Sequence, residues 1–344
     1  MTALHAGTNT AADVEAVEEI MRRGGEALRE RMARAEVHLE RVTAEAGTPL
    51  AAHATATIVA GGKRLRPLLV VLAADSAGGP GEEPERERGL VRAAVAVELV
   101  HSATLVHDDL IDGAQLRRGR PTVAAVAGRE AAIATGDLLF SRAFAELARN
   151  RDPEQLRALS DASSALAAGE LLQREDAYAS DITVERYLER CSLKTAALFE
   201  AACRLGALVA VEGTTALAGA LGEFAKRIGL AFQLLDDVLD VSGSPQRTGK
   251  ARGTDLLDGT VTLPLILARE RDEQIASLDL ATLSGPAQAE MLCERIAATG
   301  ALDEARERAL SIVAEAKAAL PGPSSDGRYE LLDLVADAVV ERYC

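Results

Sequence analysis

Tryptophan is absent from the 344 residues, and aromatic side chains make up only 3% of them. Sheets favour aromatic and β-branched residues, so this scarcity, set against the dominance of Ala, Leu, Glu and Arg, points to helices. Cysteine is scarce too. Cys191, Cys203, Cys293 and Cys344 form no CxxC spacing, and the first dozen residues lack the apolar core of a secretory signal, so a reduced, cytoplasmic setting is expected. Although 48% of the chain is hydrophobic, no uninterrupted apolar run approaches the ~20 residues of a membrane helix, and no transmembrane segment is expected. Positive charge is the minority sign: 38 Lys and Arg stand against 53 Asp and Glu, a net charge of −15. That sign opposes sequence-independent attraction to nucleic acid, which removes DNA and RNA as expected partners.

Helical patterning runs nearly end to end, as in Val14, Val17, Met21 and Leu28, or Ile228, Phe232, Leu235 and Leu239. No segment alternates as a strand would. Thr48-Pro49 and Asp152-Pro153 each place a capping side chain before an N1 proline, and Gly300 follows a helical stretch as a terminating glycine does. The stretches Gly78 to Pro84 and Leu320 to Gly327 are turn-rich, and residues 1–12 are expected to form a flexible tail. None resembles an interdomain linker, so residues 13–344 are expected to form a single all-α domain of about a dozen helices. Val91 to Val100 and Ala201 to Val211 are apolar nearly all round, which suits central helices wrapped by others.

One internal echo carries most of the chemistry. Asp108-Asp109-Leu110-Ile111-Asp112 and Asp236-Asp237-Val238-Leu239-Asp240 are both DDxxD. In each, the first and last Asp stand at i and i+4, so two carboxylates share one helix face about a turn apart and repel. A single such cluster is as readily a solvated acidic face. Two copies, each preceded by an apolar stretch, are not, because like charges beside a core need compensating cations. Carboxylate oxygens without soft ligands select Mg²⁺, or Mn²⁺, and Mg²⁺ commonly combines one or two carboxylates with phosphate oxygens of a substrate.

A diphosphate shared with such metals needs basic residues as well. Lys63 and Arg66 lie three apart in Gly61-Gly62-Lys63-Arg64-Leu65-Arg66-Pro67, read as pointing the same way from an incipient helix. Arg117 and Arg118 follow the first acidic helix, where compensation of the helix dipole is the plainer explanation. His101 lies two turns before Asp108 on its face, although a lone helical histidine is as often a packed core residue. Lys194 and Thr195 interrupt an apolar helix from Cys191 to Ala202, Gln233 stands three before Asp236, and Lys250 follows in a Gly-rich loop.

Together these residues resemble the trans-polyprenyl diphosphate synthase family, of the bacterial geranylgeranyl or longer-chain type. The resemblance covers roughly residues 50 to 270 through GGKRLRP, VELVHSATLVHDDLID, LRRGRPT, GDLLFSRAF, SLKTAALF, FQLLDDVLD and GKARGTDLLDGTVTLP, in order. It implies an isoprenoid-synthase-type helical bundle around a deep central cavity, assembled as a homodimer, with the two acidic motifs facing each other. It implies three Mg²⁺ held by Asp108, Asp112 and Asp236, with Asp109, Asp237 and Asp240 supporting and Lys194 taking part in catalysis. Lys63, Arg66, His101 and Arg118 would bind isopentenyl diphosphate. Arg117, Lys194, Thr195, Gln233 and Lys250 would hold an allylic diphosphate, which ionises, is attacked by the isopentenyl double bond, and loses a proton to pyrophosphate.

The sequence departs from that pattern at Thr260, where the family carries a second lysine, and Arg252 is one candidate replacement. The small residues Ala103 and Thr104, five and four positions before Asp108, imply passage of a long tail and a product of C20 or longer. Phe140 or Phe144 could form a deeper floor, or serve as ordinary core residues. Three alternatives stand beside this reading: a terpene cyclase of the same fold, a metal-dependent phosphohydrolase suggested by the adjacent His107 and Asp108, and a non-catalytic partner subunit of a heteromeric synthase.

Overall fold

A computed structural model describes residues 11–45, 50–243, 252–322 and 327–341. The order is α1 (Ala11–Arg23), α2 (Gly25–Ala44), α3 (Ala51–Val59), α4 (Leu65–Ser76), α5 (Pro84–Ile111), β1 (Leu116–Arg117), β2 (Arg120–Pro121), α6 (Val123–Ala127), α7 (Arg129–Ala148), α8 (Pro153–Glu175), α9 (Val184–Cys191), a π turn (Ser192–Ala196), α10 (Ala197–Val209) and α11 (Thr215–Ser242). The remaining longer helices are Pro286–Ala298, Ala301–Ala318 and Glu330–Glu341. The architecture is all-α. Of the tail expected over residues 1–12, the first ten lie outside the described residues and Ala11 already begins α1. Thr48-Pro49 also falls outside them.

Local chemistry accounts for several ends. Asp152 caps α8, its Oδ1 accepting from the N–H of Glu154 at 2.9 Å with Pro153 at N1. Gly300, at φ +75°, follows the helix ending at Ala298, as the sequence indicated. The strand-free expectation needs one correction: Leu116–Arg117 pairs antiparallel with Arg120–Pro121. Its two-residue turn, Arg118 at φ +52° and Gly119 at φ +72°, has both central residues left-handed, the backbone of a type I′ hairpin. Strands this short leave no alternation to read.

The central helices are those that are apolar all round. Leu90, Ala93, Ala94, Val97, Leu99 and Val100 of α5 are fully buried, as are Phe199, Ala202, Cys203 and Leu205 of α10. By length and composition α5 could cross a membrane, but 78% of its most apolar window is covered within the bundle, chiefly by α7, α4, α2 and α10. In turn α10 packs between α4 and α11. Thus α5 and α11, the bearers of the two acidic motifs, are both fixed against α10.

Candidate active site

The first acidic cluster lies at the negative end of a 28-residue helix, where three carboxylates are least welcome. Each is met by a cation from a different element. Arg117 of β1 donates through Nε to Asp109 Oδ1 at 2.7 Å, and the Asp109 side chain is only 7% exposed. Arg174 of α8 donates to Asp112 Oδ1. Asp108 faces the charge of Lys194 on the π turn; burial pushes its pKa up to about 6, with Lys194 opposing and Glu170 and Asp112 adding to the rise. Lys194 itself donates to Glu170 of α8. That meeting requires Gly169: a Cβ there would sit 2.4 Å from the Lys194 backbone nitrogen.

Neutral donors meet two carboxylates of the second cluster. Asp237 is buried, accepting from Tyr187 Oη at 2.7 Å and from Gln233 Nε2 at 2.7 Å, and burial lifts its pKa to about 7. Asp240 accepts from the backbone N–H groups of Thr254 and Asp255 at 3.2 Å each, capping the short helix Thr254–Leu257. Asp236 remains half-buried on α11. Thr195 donates to Gln233 Oε1 at 2.7 Å. The π turn therefore reaches both clusters, Asp108 through Lys194 and Asp237 through Thr195 and Gln233.

The basic motif is built differently from the sequence expectation. Arg64 adopts φ +50° and α4 begins only at Leu65, so Lys63 and Arg66 do not share a helix. The reason is tethering: Arg64 pairs with Glu36 at 2.7 Å and Glu98 at 2.8 Å and donates to the Ile58 carbonyl at 2.9 Å. Arg66 lies with its guanidinium 4.8 Å from the Phe199 ring centroid, and its buried Nε has no hydrogen-bond partner. Burial lowers its pKa to about 10. Arg118 makes no ion pair among the described residues, and a Cβ on Gly62 would lie 3.1 Å from its guanidinium. His101 is held well below its ordinary pKa by burial and by Arg66, Arg118, Arg117 and Arg64, so it is a neutral imidazole at pH 7. An arginine with an unsatisfied Nε, a second arginine that makes no ion pair among the described residues, and a neutral histidine form an anion-receptive corner.

A cavity of about 300 Å³ flanks this corner; its lining includes the polar residues His101, Asp109, Arg117 and Arg118 and the apolar residues Ala56, Leu105 and Val123. Ala103 and Thr104 do not line it. Thr104 lies one turn before Asp108 and donates to the His101 carbonyl at 2.8 Å, whereas Ala103 is fully buried one turn before His107. His107 turns towards α7: its Nε2 lies 3.2 Å from the Ile133 carbonyl, and its ring lies 6.0 Å from that of Phe140. Phe140 and Phe144 are half-buried against the core. Arg252 is engaged elsewhere, donating to the Val241 carbonyl at 2.9 Å, and Lys250 lies outside the described residues.

The Polyprenyl synthetase family matches residues 48–297. The chain belongs to that family. It is 40% identical over 244 residues to heptaprenyl diphosphate synthase component 2 of Geobacillus stearothermophilus, 71% of this chain and 74% of that one. It is 36% identical over 294 residues to geranylgeranyl diphosphate synthase of Methanosarcina mazei, 82% of this chain and 86% of that one. Its fold is similar to that of a polyprenyl synthase from Caulobacter crescentus CB15, solved with calcium and isoprenyl diphosphate, at TM-score 0.84 and 34% identity over 99% of this chain and 100% of that one. As a member of a prenyl diphosphate synthase family, the enzyme is a prenyltransferase that elongates isoprenoid diphosphates.

Within this synthase the donor set suits Mg²⁺ or Mn²⁺: Asp108, Asp112 and Asp236 offer only hard oxygens. Among the described residues no group of three or more His, Cys, Asp or Glu forms a cage for a metal ion of its own. Sequence reasoning missed Glu170, Arg174 and Tyr187. Gly169-Glu170 in the middle of α8 is the only local signal for any of them, since a mid-helix glycine asks for a close neighbour.

Proposed function

We propose that the enzyme joins isopentenyl diphosphate to an allylic prenyl diphosphate in a divalent-cation-dependent condensation, giving an all-trans product of C20 or longer. The observation that carries this reading is the π turn that meets both acidic clusters, because one allylic diphosphate placed there is within the charge of Lys194, Arg117 and both sets of carboxylates. Bound by Asp108, Asp112 and Asp236, Mg²⁺, with three ions per site, supplies positive charge for the departing pyrophosphate. Lys194 and Arg117 add to that charge, and Thr195 and Gln233 fix the π turn against α11. Lys63, Arg66, His101 and Arg118 hold isopentenyl diphosphate; the allylic carbon–oxygen bond breaks with its electron pair leaving on pyrophosphate, the isopentenyl double bond attacks the resulting allylic cation to form the new carbon–carbon bond, and the C2 proton then passes to the released pyrophosphate, restoring a double bond. The apolar faces of α5 and α10 exclude water, which would quench the cation.

Relatives of differing product length share this family, so length rests on this chain's own residues. Small Thr104 below Asp108 favours a long tail. Tethering of His107 to α7 disfavours a phosphohydrolase using it as a ligand, and the scarcity of aromatics disfavours a cyclase. The reading places a homodimer in the cytoplasm. Its test is incubation with isopentenyl diphosphate and C5, C10, C15 or C20 allylic diphosphates, with Mg²⁺ or with EDTA, followed by product sizing. Lengthened products only with Mg²⁺ support it. Hydrolysis without lengthening, a cyclic hydrocarbon, or activity that requires a second protein would each replace it with the corresponding alternative.

A further inference from the structure

Arg174 belongs to none of the motifs, yet it is the side chain that meets the last carboxylate of the first cluster. Its guanidinium crosses from α8 to Asp112, and its Nε donates to Glu170 Oε1 at 3.0 Å, one turn back on its own helix. The side chains of Arg174 and Asp112 are 41% and 42% exposed, so solvent and ions reach the pair. Asp112 ends α5 at the negative pole of the helix, beside Asp108, whose ionisation it opposes. A cation is therefore favoured at this position. Glu170, on the same helix as Arg174, accepts from both Arg174 and Lys194, so Arg174 keeps a carboxylate partner if Asp112 is taken from it.

We propose that Arg174 is a positioning residue that competes with a divalent cation for Asp112 and stays with Glu170 alone when the cation binds, so that it sets the metal concentration at which the first cluster fills. The proposal rests on the metal role of Asp112 given above. A guanidinium a few ångströms from a divalent ion in half-exposed surroundings weakens that ion's binding by roughly tenfold.

The test is Mn²⁺ binding followed by electron paramagnetic resonance, on the full chain with inorganic pyrophosphate present, for wild type, Arg174→Leu, Arg174→Lys and Asp112→Asn. Melting curves in EDTA establish that each variant is folded. Arg174→Leu is expected to bind Mn²⁺ about tenfold more tightly than wild type, with Arg174→Lys close to wild type. A purely structural arginine would lower the melting temperature and leave the affinity unchanged. Equal or weaker binding by Arg174→Leu, while Asp112→Asn loses affinity, overturns the role of Arg174 alone. A wild type that binds no Mn²⁺, or an Asp112→Asn variant that binds as wild type does, overturns the metal reading and the proposal with it.

Discussion

Asp237→Asn should make the metal-free protein more stable at alkaline pH. In the native fold the carboxyl is 4% exposed, and burial lifts its pKa from 3.8 to about 7 despite the hydrogen bonds from Tyr187 and Gln233. A carboxyl raised on folding favours the fold while it is protonated, and that contribution disappears as pH rises from about 4 through about 7. At 1.36 kcal/mol per unit, the wild type loses about 3 kcal/mol of stability between pH 5 and pH 8 from this group. Asparagine has nothing to ionise, so it lacks this loss. The surrounding network can accommodate it: Tyr187 donates to Asn Oδ1, the Gln233 amide reverses to accept from Asn Nδ2, and the Thr195 hydroxyl accepts from the reversed amide. Urea unfolding of both proteins in EDTA, at pH 5 and at pH 8, measures the effect. The variant should gain about 3 kcal/mol on wild type between the two pH values. A difference that stays constant across that range would refute the burial argument.

Thr104→Phe should shorten the main product, read by chromatography of the dephosphorylated alcohols, because Thr104 lies one turn before Asp108. Ala103→Phe should also shorten it, but Ala103 is fully buried, and overpacking there should lower stability by about 1–3 kcal/mol in a thermal melt. Gly169→Ala should cut activity tenfold or more through an altered KM for the allylic diphosphate, since its methyl collides with the Lys194 backbone. Thr260→Lys should lower that KM several-fold, because Arg252, held by Val241, does not replace the missing charge; an unchanged KM would show that the loop does not reach the diphosphate.

Much of the scaffold is legible in local patterns. The apolar girth of Val91–Val100 marks a central helix, and Asp152-Pro153 and Gly300 mark ends that the backbone honours. The acidic motifs are legible because their periodicity is helical. What escapes is whatever depends on a partner far along the chain. Tyr187 meets Asp237 fifty residues on, and Arg174 meets Asp112 sixty-two residues back, with no local pattern to announce either. Asp237 and Asp240 look equivalent to Asp236 in sequence, yet one is buried beneath a tyrosine and the other caps a short helix. Arg64 resembles its neighbours Lys63 and Arg66, and only Glu36 and Glu98 reveal that it is a tether.

The π turn at Ser192–Ala196 sits inside what is otherwise one rod from Val184 to Val209. Losing one residue from it would rotate everything downstream by about 100°. Phe199 would then leave Arg66, and the hydroxyl of Thr195 would swing away from Gln233 while Tyr187 stayed behind. An insertion or deletion in this segment therefore displaces all of its downstream contacts at once, whereas a substitution changes only those of the side chain replaced.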